Sequence, residues 1–245
     1  MLSSKDNALI KLVRSLEMKK YRDEHGLFVI EGDKFVRDAL AANYHAEYLL
    51  ISETYTLEHA VDFEAVSLTD ALFATIAKTK TPQGIMGVFR IPQITFSKVM
   101  DKNRILFLNG VQNSDNVGAL IRSAVCAGYG AVIMDETTAD IYSDKAVRAS
   151  AGALLNIACT HGTVSDLLLL KENGYMVIAS ALDGYADCDI TADKSVLIVG
   201  NEGSGISSEV KQICDCLVKI PIYGAFDSLN VACAGTLLMY KTVGY

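Results

Sequence analysis

The sequence predicts an α/β architecture: a C-terminal domain built on a parallel sheet, preceded by a smaller α/β unit. Three observations predict it. Short apolar runs alternate with helical patterns along nearly the whole chain. In the second half those runs are apolar throughout, as expected of parallel strands covered on both faces. The alternation breaks at Pro92 and restarts at a strong buried strand at 104. A chain of 245 residues is comfortable for two cores. Residues 1–95 and 104–245 are therefore expected to form two domains, with the junction inside 92–103.

In the first half, GLFVIEG (26–32) reads as a strand and DKFVRDALAAN (33–43) as a helix capped by Asp33, with Phe35, Val36, Ala39 and Leu40 on one face. EYLLIS (47–52) is a second strand. TDALFATIAKT (69–79) is a helix with Thr69 or Asp70 as its cap, and MGVFRIP (86–92) is a strand stopped by Pro92. A unit of this size is about the smallest that carries its own core.

The second half alternates more regularly. Strands are expected at 104–111, 131–135, 156–160, 175–182, 195–200 and 217–222. Helices are expected at 117–130, 144–154, 164–174, 206–214 and 229–243. The glycines at 128 and 130 close the first of these helices, and Gly174 closes the third. The last is so apolar from Val231 to Met239 that it is either buried all round or packed on a second chain.

Composition narrows the function. The net charge of −7 argues against a protein that coats nucleic acid nonspecifically. Yet residues 5–22 hold six bases (Lys5, Lys11, Arg14, Lys19, Lys20, Arg22) against two acids, which is either a solvated helix face or a phosphate contact. The six cysteines fit no zinc spacing and read as small buried hydrophobes in a reducing cytosol. No metal site is expected. His25, His45, His59 and His161 have no nucleophile or ligand partner at recognisable spacing, so surface or structural roles are expected. No apolar run reaches the length of a membrane span, and the N-terminal residues lack the apolar core of a secretory signal. The expected compartment is the cytoplasm.

A parallel sheet binds ligands at the carboxyl ends of its strands, and three stretches stand out there. The first is LNGVQNSDNVG (108–118), running into a helix with Asn116 as cap and Arg122 six residues on. That arginine is either an ordinary surface residue or a fork of donors for a phosphate or ribose oxygen. The second is LIVGNEGSGI (197–206), with Gly200, Gly203 and Gly205. It lacks the lysine of a P-loop and the order of a dinucleotide fingerprint. Glu202 makes it a loop for a cationic or zwitterionic ligand, unless it is a plain turn. The third is IPIYGAFDSLNV (220–231), with Ser228 as the natural cap of the last helix and Asn230 in its first turn.

In this order the three stretches resemble the three motifs of the SpoU (TrmH-like) family of RNA ribose 2′-O-methyltransferases. The matches are N-x-G-A-x-x-R-S-A at 116–124, I-V-G-N-E-G-x-G-I at 198–206 and I-P-x-x-G-x-x-x-S-L-N-V at 220–231. Arg148–Gly152 resembles a further family segment. Lys19–Arg22, Phe28–Gly32 and Thr81–Gly84 resemble its substrate-binding domain. The resemblance implies a deep trefoil knot in the C-terminal domain, a homodimer, and S-adenosyl-L-methionine held against backbone at Gly200, Ile220 and Leu229. It implies Asn116, Arg122, Glu202, Ser228 and Asn230 as catalytic positions. Asn113-Ser114 stands where the family commonly has Asp-Pro, and Ala232-Cys233 where Ser-Val is frequent; neither departure touches those five.

Methyl transfer from a sulfonium is an in-line displacement, and alignment supplies about 7–11 kcal/mol of such a barrier. The resemblance puts Arg122 beside the attacking hydroxyl. Its pKa, above about 12, makes it a poor base, so phosphate clamping and charge stabilisation suit it better. Glu202, phosphate or water is left to take the proton. An RNA substrate is implied, with large-subunit ribosomal RNA ahead of transfer RNA, and Tyr21, Arg22 and Phe28 as candidate contacts, although Phe28 fits the core better. A silent RNA binder would show degenerate motifs, and a hydrolase or kinase needs a phosphate loop with lysine and metal carboxylates; neither pattern is present.

Overall fold

The computed structural model describes residues 1–56, 65–186, 188–225 and 227–245; His59 lies outside them. The chain divides into two compact units, one of residues 1–92 with 142–148, the other of 93–141 with 149–245.

The first unit is a four-stranded sheet in the order β1-β4-β2-β3: β1 (Leu27–Glu31), β2 (Ala46–Ser52), β3 (Ala65–Leu68) and β4 (Ile85–Arg90). β4 runs antiparallel to both β1 and β2, and β3 runs parallel to β2. Two short helices, α1 (Ala8–Ser15) and α2 (Lys19–His25), carry the basic stretch. α1 buries Ile10 and Val13 in a core with Leu16, Leu50, Phe73 and Met86. α3 (Asp33–Ala41) starts from Gly32, so Asp33 is in the first turn rather than at the cap. α4 (Asp70–Phe73) is far shorter than expected, its start fixed by Thr69, whose side chain accepts from the Leu72 amide.

One candidate RNA contact, Arg22, is placed otherwise, and Phe28 lies in the core as its better reading had it. Arg22 is buried, and Nη1 donates to the carbonyls of Leu16 and Glu17 at 2.6 and 2.8 Å, tying the α1–α2 turn. Phe28 is wholly buried. Tyr21 is half-buried and stacks on His25.

The second unit is a six-stranded sheet in the order β10-β8-β9-β5-β6-β7, parallel at every pairing. Its strands are β5 (Arg104–Asn109), β6 (Ala131–Met134), β7 (Ala158–His161), β8 (Met176–Tyr185), β9 (Ser195–Gly200) and β10 (Cys216–Val218). All six residues of β9 are buried, as a central strand covered on both faces requires. β10 stops short of the expected 217–222, where Pro221 has no N–H for a ladder. α5 (Phe96–Met100) fills the expected junction, with Val99 in the core.

The remaining helices are α6 (Ser114–Cys126), α7 (Asp144–Ala149), α8 (Val164–Glu172), α9 (Ser208–Ile213) and α10 (Val231–Thr242). α6 begins before the expected 117 because Asn113, not Asn116, is its cap. α7 ends early: Ala151 and Gly152 turn left-handed, and a 3-10 turn (Ala153–Asn156) follows. α10 is capped by Asn230, whose side chain accepts from the amides of Ala232 and Cys233, and not by Ser228. Gly235 lets α10 approach α6; a Cβ there would stand 2.4 Å from Leu120. The other side of α10 exposes Cys233 and Leu237 (54% exposed), so the helix is not buried all round.

The cysteines also depart from the expectation of uniform small hydrophobes. Cys188 and Cys216 form a disulfide, because β10 pairs beside β8, whose far end leads within three residues to Cys188. Cys126 and Cys233 are exposed; Cys159 is buried, which pushes its thiol up to about 12. Among the described residues no helix is long and apolar enough to cross a membrane.

Phe107, on β5 and 1% exposed, fills the centre of this core. Phe107→Ala is expected to lower the unfolding free energy by roughly 3–5 kcal/mol, read as a shifted urea midpoint with an unchanged slope.

Candidate functional site

The site is assembled where two adjacent strands end side by side. β5 and β9 stay in register from Arg104↔Ser195 to Asn109↔Gly200, so the first and second glycine-rich loops leave the sheet at one level. Asn109 joins them. Its Nδ2 donates to Asp135 Oδ2 at 2.7 Å, and its Oδ1 accepts from the Ser207 amide at 2.9 Å. Asp135, just past β6, also accepts from the Gly110 amide and from Thr137 and Thr138. Burial alone would raise the Asp135 pKa, but these donors together hold it below the ordinary carboxylate value.

Asn201 shapes the second loop. Its Nδ2 donates to the Gly110 carbonyl at 2.8 Å, while Oδ1 accepts from the amides of Gly203 and Ser204. The backbones of Asn201 and Gly205 exchange two hydrogen bonds. This closure leaves no room at Gly200, where a Cβ would lie 2.4–2.6 Å from the backbone of Gly205 and Ile206.

Three of the expected catalytic residues meet across this floor. Asn116, in the first turn of α6, donates from Nδ2 to Glu202 Oε1 at 3.0 Å. Its Oδ1 accepts from Asn230 Nδ2, also at 3.0 Å. Asn230 is itself fixed, because its own Oδ1 caps α10. Glu202 is reached in addition by the amides of Gln112 and Asn113 at 3.4 Å. Partial burial pulls the Glu202 pKa upward, yet the donation from Asn116 and these amides outweighs it and sets it below normal.

Beside the network lies a cleft of about 550 Å³. Gly200, Ile220 and Leu229, the three expected cofactor contacts, all line it, as do Glu202, Ser228 and Asn230. Asn116 is one hydrogen bond away. Arg122 stands apart: it is exposed on α6, about 9 Å along the axis from Asn116 at helical rise, and makes no hydrogen bond or ion pair among the described residues. Among the described residues no group of His, Cys, Asp and Glu could hold a metal.

Asn109, Asp135 and Asn201 were not among the expected site residues. Their signal was present, since each polar side chain terminates or directly follows an apolar strand, where a packing role is excluded.

Comparison with known proteins agrees with this geometry. Residues 103–240 match the model of the SpoU rRNA Methylase family. The chain belongs to that family. Residues 7–87 match an MRM3-like substrate binding domain. This SpoU-family chain is 30% identical to a 23S rRNA (guanosine(2553)-2′-O)-methyltransferase of Bacillus subtilis, over 99% of each chain. It is 28% identical to a 23S rRNA (uridine(2479)-2′-O)-methyltransferase of Streptomyces viridochromogenes, over 71% of this chain and 64% of that one. Its fold superposes on an AdoMet-bound rRNA methyltransferase from Sinorhizobium meliloti with a TM-score of 0.87, at 26% identity over 98% and 96% of the two chains.

Two outcomes follow from this floor. Asp135→Asn is expected to cost about 1–2 kcal/mol at neutral pH, the partial exposure of the site keeping it in the lower part of the range for charged hydrogen bonds. Because the folded pKa is depressed, the stability Asp135 contributes is complete above the unfolded value near ~3.9 and lost as pH falls through the folded one. The gap between variant and parent in urea titrations should therefore close in acid. Gly200→Ala should abolish binding of ligands in the cleft in calorimetry, since the clash is with backbone.

Proposed function

We propose that this chain is an S-adenosylmethionine-dependent RNA methyltransferase that modifies a ribose 2′-hydroxyl in large-subunit ribosomal RNA. The observation that carries the reading is the Glu202–Asn116–Asn230 network, built from three separate loops at the edge of a cleft lined by Gly200, Ile220 and Leu229. A relative that matches this chain along its length is named as a 23S rRNA 2′-O-methyltransferase, and the match to a substrate binding domain over residues 7–87 supports the same substrate class.

The cleft fits the cofactor. Its volume is in the range of small-molecule sites, Ile220, Ile222, Leu229 and Leu182 offer apolar contact for a base, and the carboxylate of Glu202 suits a positively charged ligand. When bound, S-adenosylmethionine supplies an electrophilic methyl group on its sulfonium. Gly200, Ile220 and Leu229 are the residues that would hold it.

Asn116 and Asn230 then act as positioned amides whose orientations are set by Glu202 and by the α10 cap. Glu202, with its depressed pKa and three donors, is a weak base, which favours phosphate or water for the proton. Ser228 lines the cleft with its hydroxyl free of the helix cap. The exposed guanidinium of Arg122 is available to clamp the phosphate next to the target ribose and to stabilise charge developing on oxygen.

In this reading residues 1–95 bind RNA, residues 104–245 form the catalytic domain with a deep trefoil knot, and the enzyme works in the cytoplasm as a homodimer. The exposed Leu237 and Cys233 on α10 support self-association.

Incubation with radiolabelled S-adenosylmethionine and total bacterial RNA should label a 2′-O-methylated nucleoside in 23S rRNA. Label confined to transfer RNA would overturn the substrate, and label on a base would overturn the ribose assignment. Arg122→Ala should abolish turnover while leaving cofactor affinity within a few-fold. Retained activity would remove Arg122 from the catalytic set.

A further inference from the structure

Among the described residues two carboxylates line the cleft, and they are used differently. Glu202 is committed to Asn116 and two backbone amides. Asp183 has a single side-chain partner among the described residues: Lys211 Nζ, on α9, donates to its Oδ1 and Oδ2 at 3.0 and 2.9 Å. Both Asp183 and Lys211 line the cleft. The place is not incidental. Pairing between β8 and β9 ends at Ala179↔Ile198, and β8 runs on to Tyr185 without β9, held on its other edge by β10, whose register shifts between Leu217 and Val218. Residues 180–183 thereby become a wall facing the Gly200–Ile206 loop across the gap, and α9, which follows that loop, sends Lys211 back to the wall.

We infer that Asp183, held by Lys211, is the acceptor for the vicinal ribose hydroxyls of the nucleoside in this cleft. The argument is one of charge and capacity. An ionised carboxylate offers about four acceptor sites and the lysine takes two. The lysine also neutralises the carboxylate locally, and holds its pKa below the ordinary value, so the pair is poorly suited to capturing a cation. It suits a neutral group that donates two hydrogen bonds. A ribose diol is such a group, and carboxylates serve it in other nucleotide sites. Glu202, with no cation beside it among the described contacts, is left as the carboxylate for positive charge. A salt bridge this exposed, with the Asp183 side chain 68% accessible, contributes little to stability, so either partner can be replaced without unfolding the chain.

The assignment rests on the reading of the cleft as the cofactor site, and the test separates the two. Binding of S-adenosylhomocysteine and of its 2′,3′-dideoxy analogue is measured by calorimetry on the full chain, for the parent, Asp183→Asn and Lys211→Met. Asp183→Asn should weaken S-adenosylhomocysteine about tenfold, the loss expected for hydrogen bonds to a charged group, and leave the dideoxy analogue unchanged. Lys211→Met should weaken S-adenosylhomocysteine by a smaller factor, because the acceptor is kept but no longer fixed. Unchanged S-adenosylhomocysteine binding by Asp183→Asn would overturn the inference while the methyltransferase reading stands. Equal losses for both compounds would also overturn it, by showing that Asp183 only shapes the wall. Failure of the parent chain to bind either compound would overturn both readings.

Discussion

Everything in the catalytic unit depends on the pairing of β5 with β9. Six residues of each run in unbroken parallel register through a buried apolar core, and a parallel ladder of that kind allows no slip without moving a whole set of apolar side chains. The pairing ends at Asn109 and Gly200, so two loops that are far apart in sequence begin at the same height. Polar residues can then bridge them over a distance of one side chain. Asn109 and Asn201 do this, Asp135 holds Asn109 in place, and every side-chain oxygen of the three accepts a hydrogen bond. The floor is rigid because its polar groups are satisfied, not because it is deeply buried.

The same economy governs the residues above the floor. Asn230 uses its carbonyl oxygen to begin α10 and its amide nitrogen to hold Asn116. Asn116 uses its oxygen for Asn230 and its nitrogen for Glu202. Each amide has one orientation compatible with its partners, so the order of donors and acceptors is fixed from helix cap to carboxylate. Replacing either asparagine by aspartate keeps the acceptor and loses the donor, whereas alanine breaks the order at both places.

Much of this was legible in the sequence, and the reason is that it is carried by local pattern. The fully apolar runs at 104–109 and 195–200 announce a two-sided parallel sheet, and the strand-to-glycine transitions announce the loops. What pattern could not settle was which polar residue does which task. Asn113 and Asn116 are equally good caps on paper, as are Ser228 and Asn230. The structure chooses the outer residue in the first case and the inner in the second, which leaves Asn116 free for the site and makes Asn230 serve twice. The end of α7 was illegible because Ala151 adopts a left-handed conformation that its chemistry does not favour. Arg22 read as a surface base because periodicity cannot show that a turn closes over it. The partner of Cys188 was hidden for the same reason: it is decided by the placement of β10, not by spacing.

The network also sets a condition on biosynthesis. Asn116 meets Glu202 across 86 positions and Asn230 across 114, and Asn230 opens the helix that is last in this sequence. During translation the sheet can be nearly complete while the site does not yet exist. A nascent chain halted at residue 220 would hold both glycine-rich loops and lack Asn230. The Glu202–Asn116–Asn230 network therefore closes only when α10 is in place.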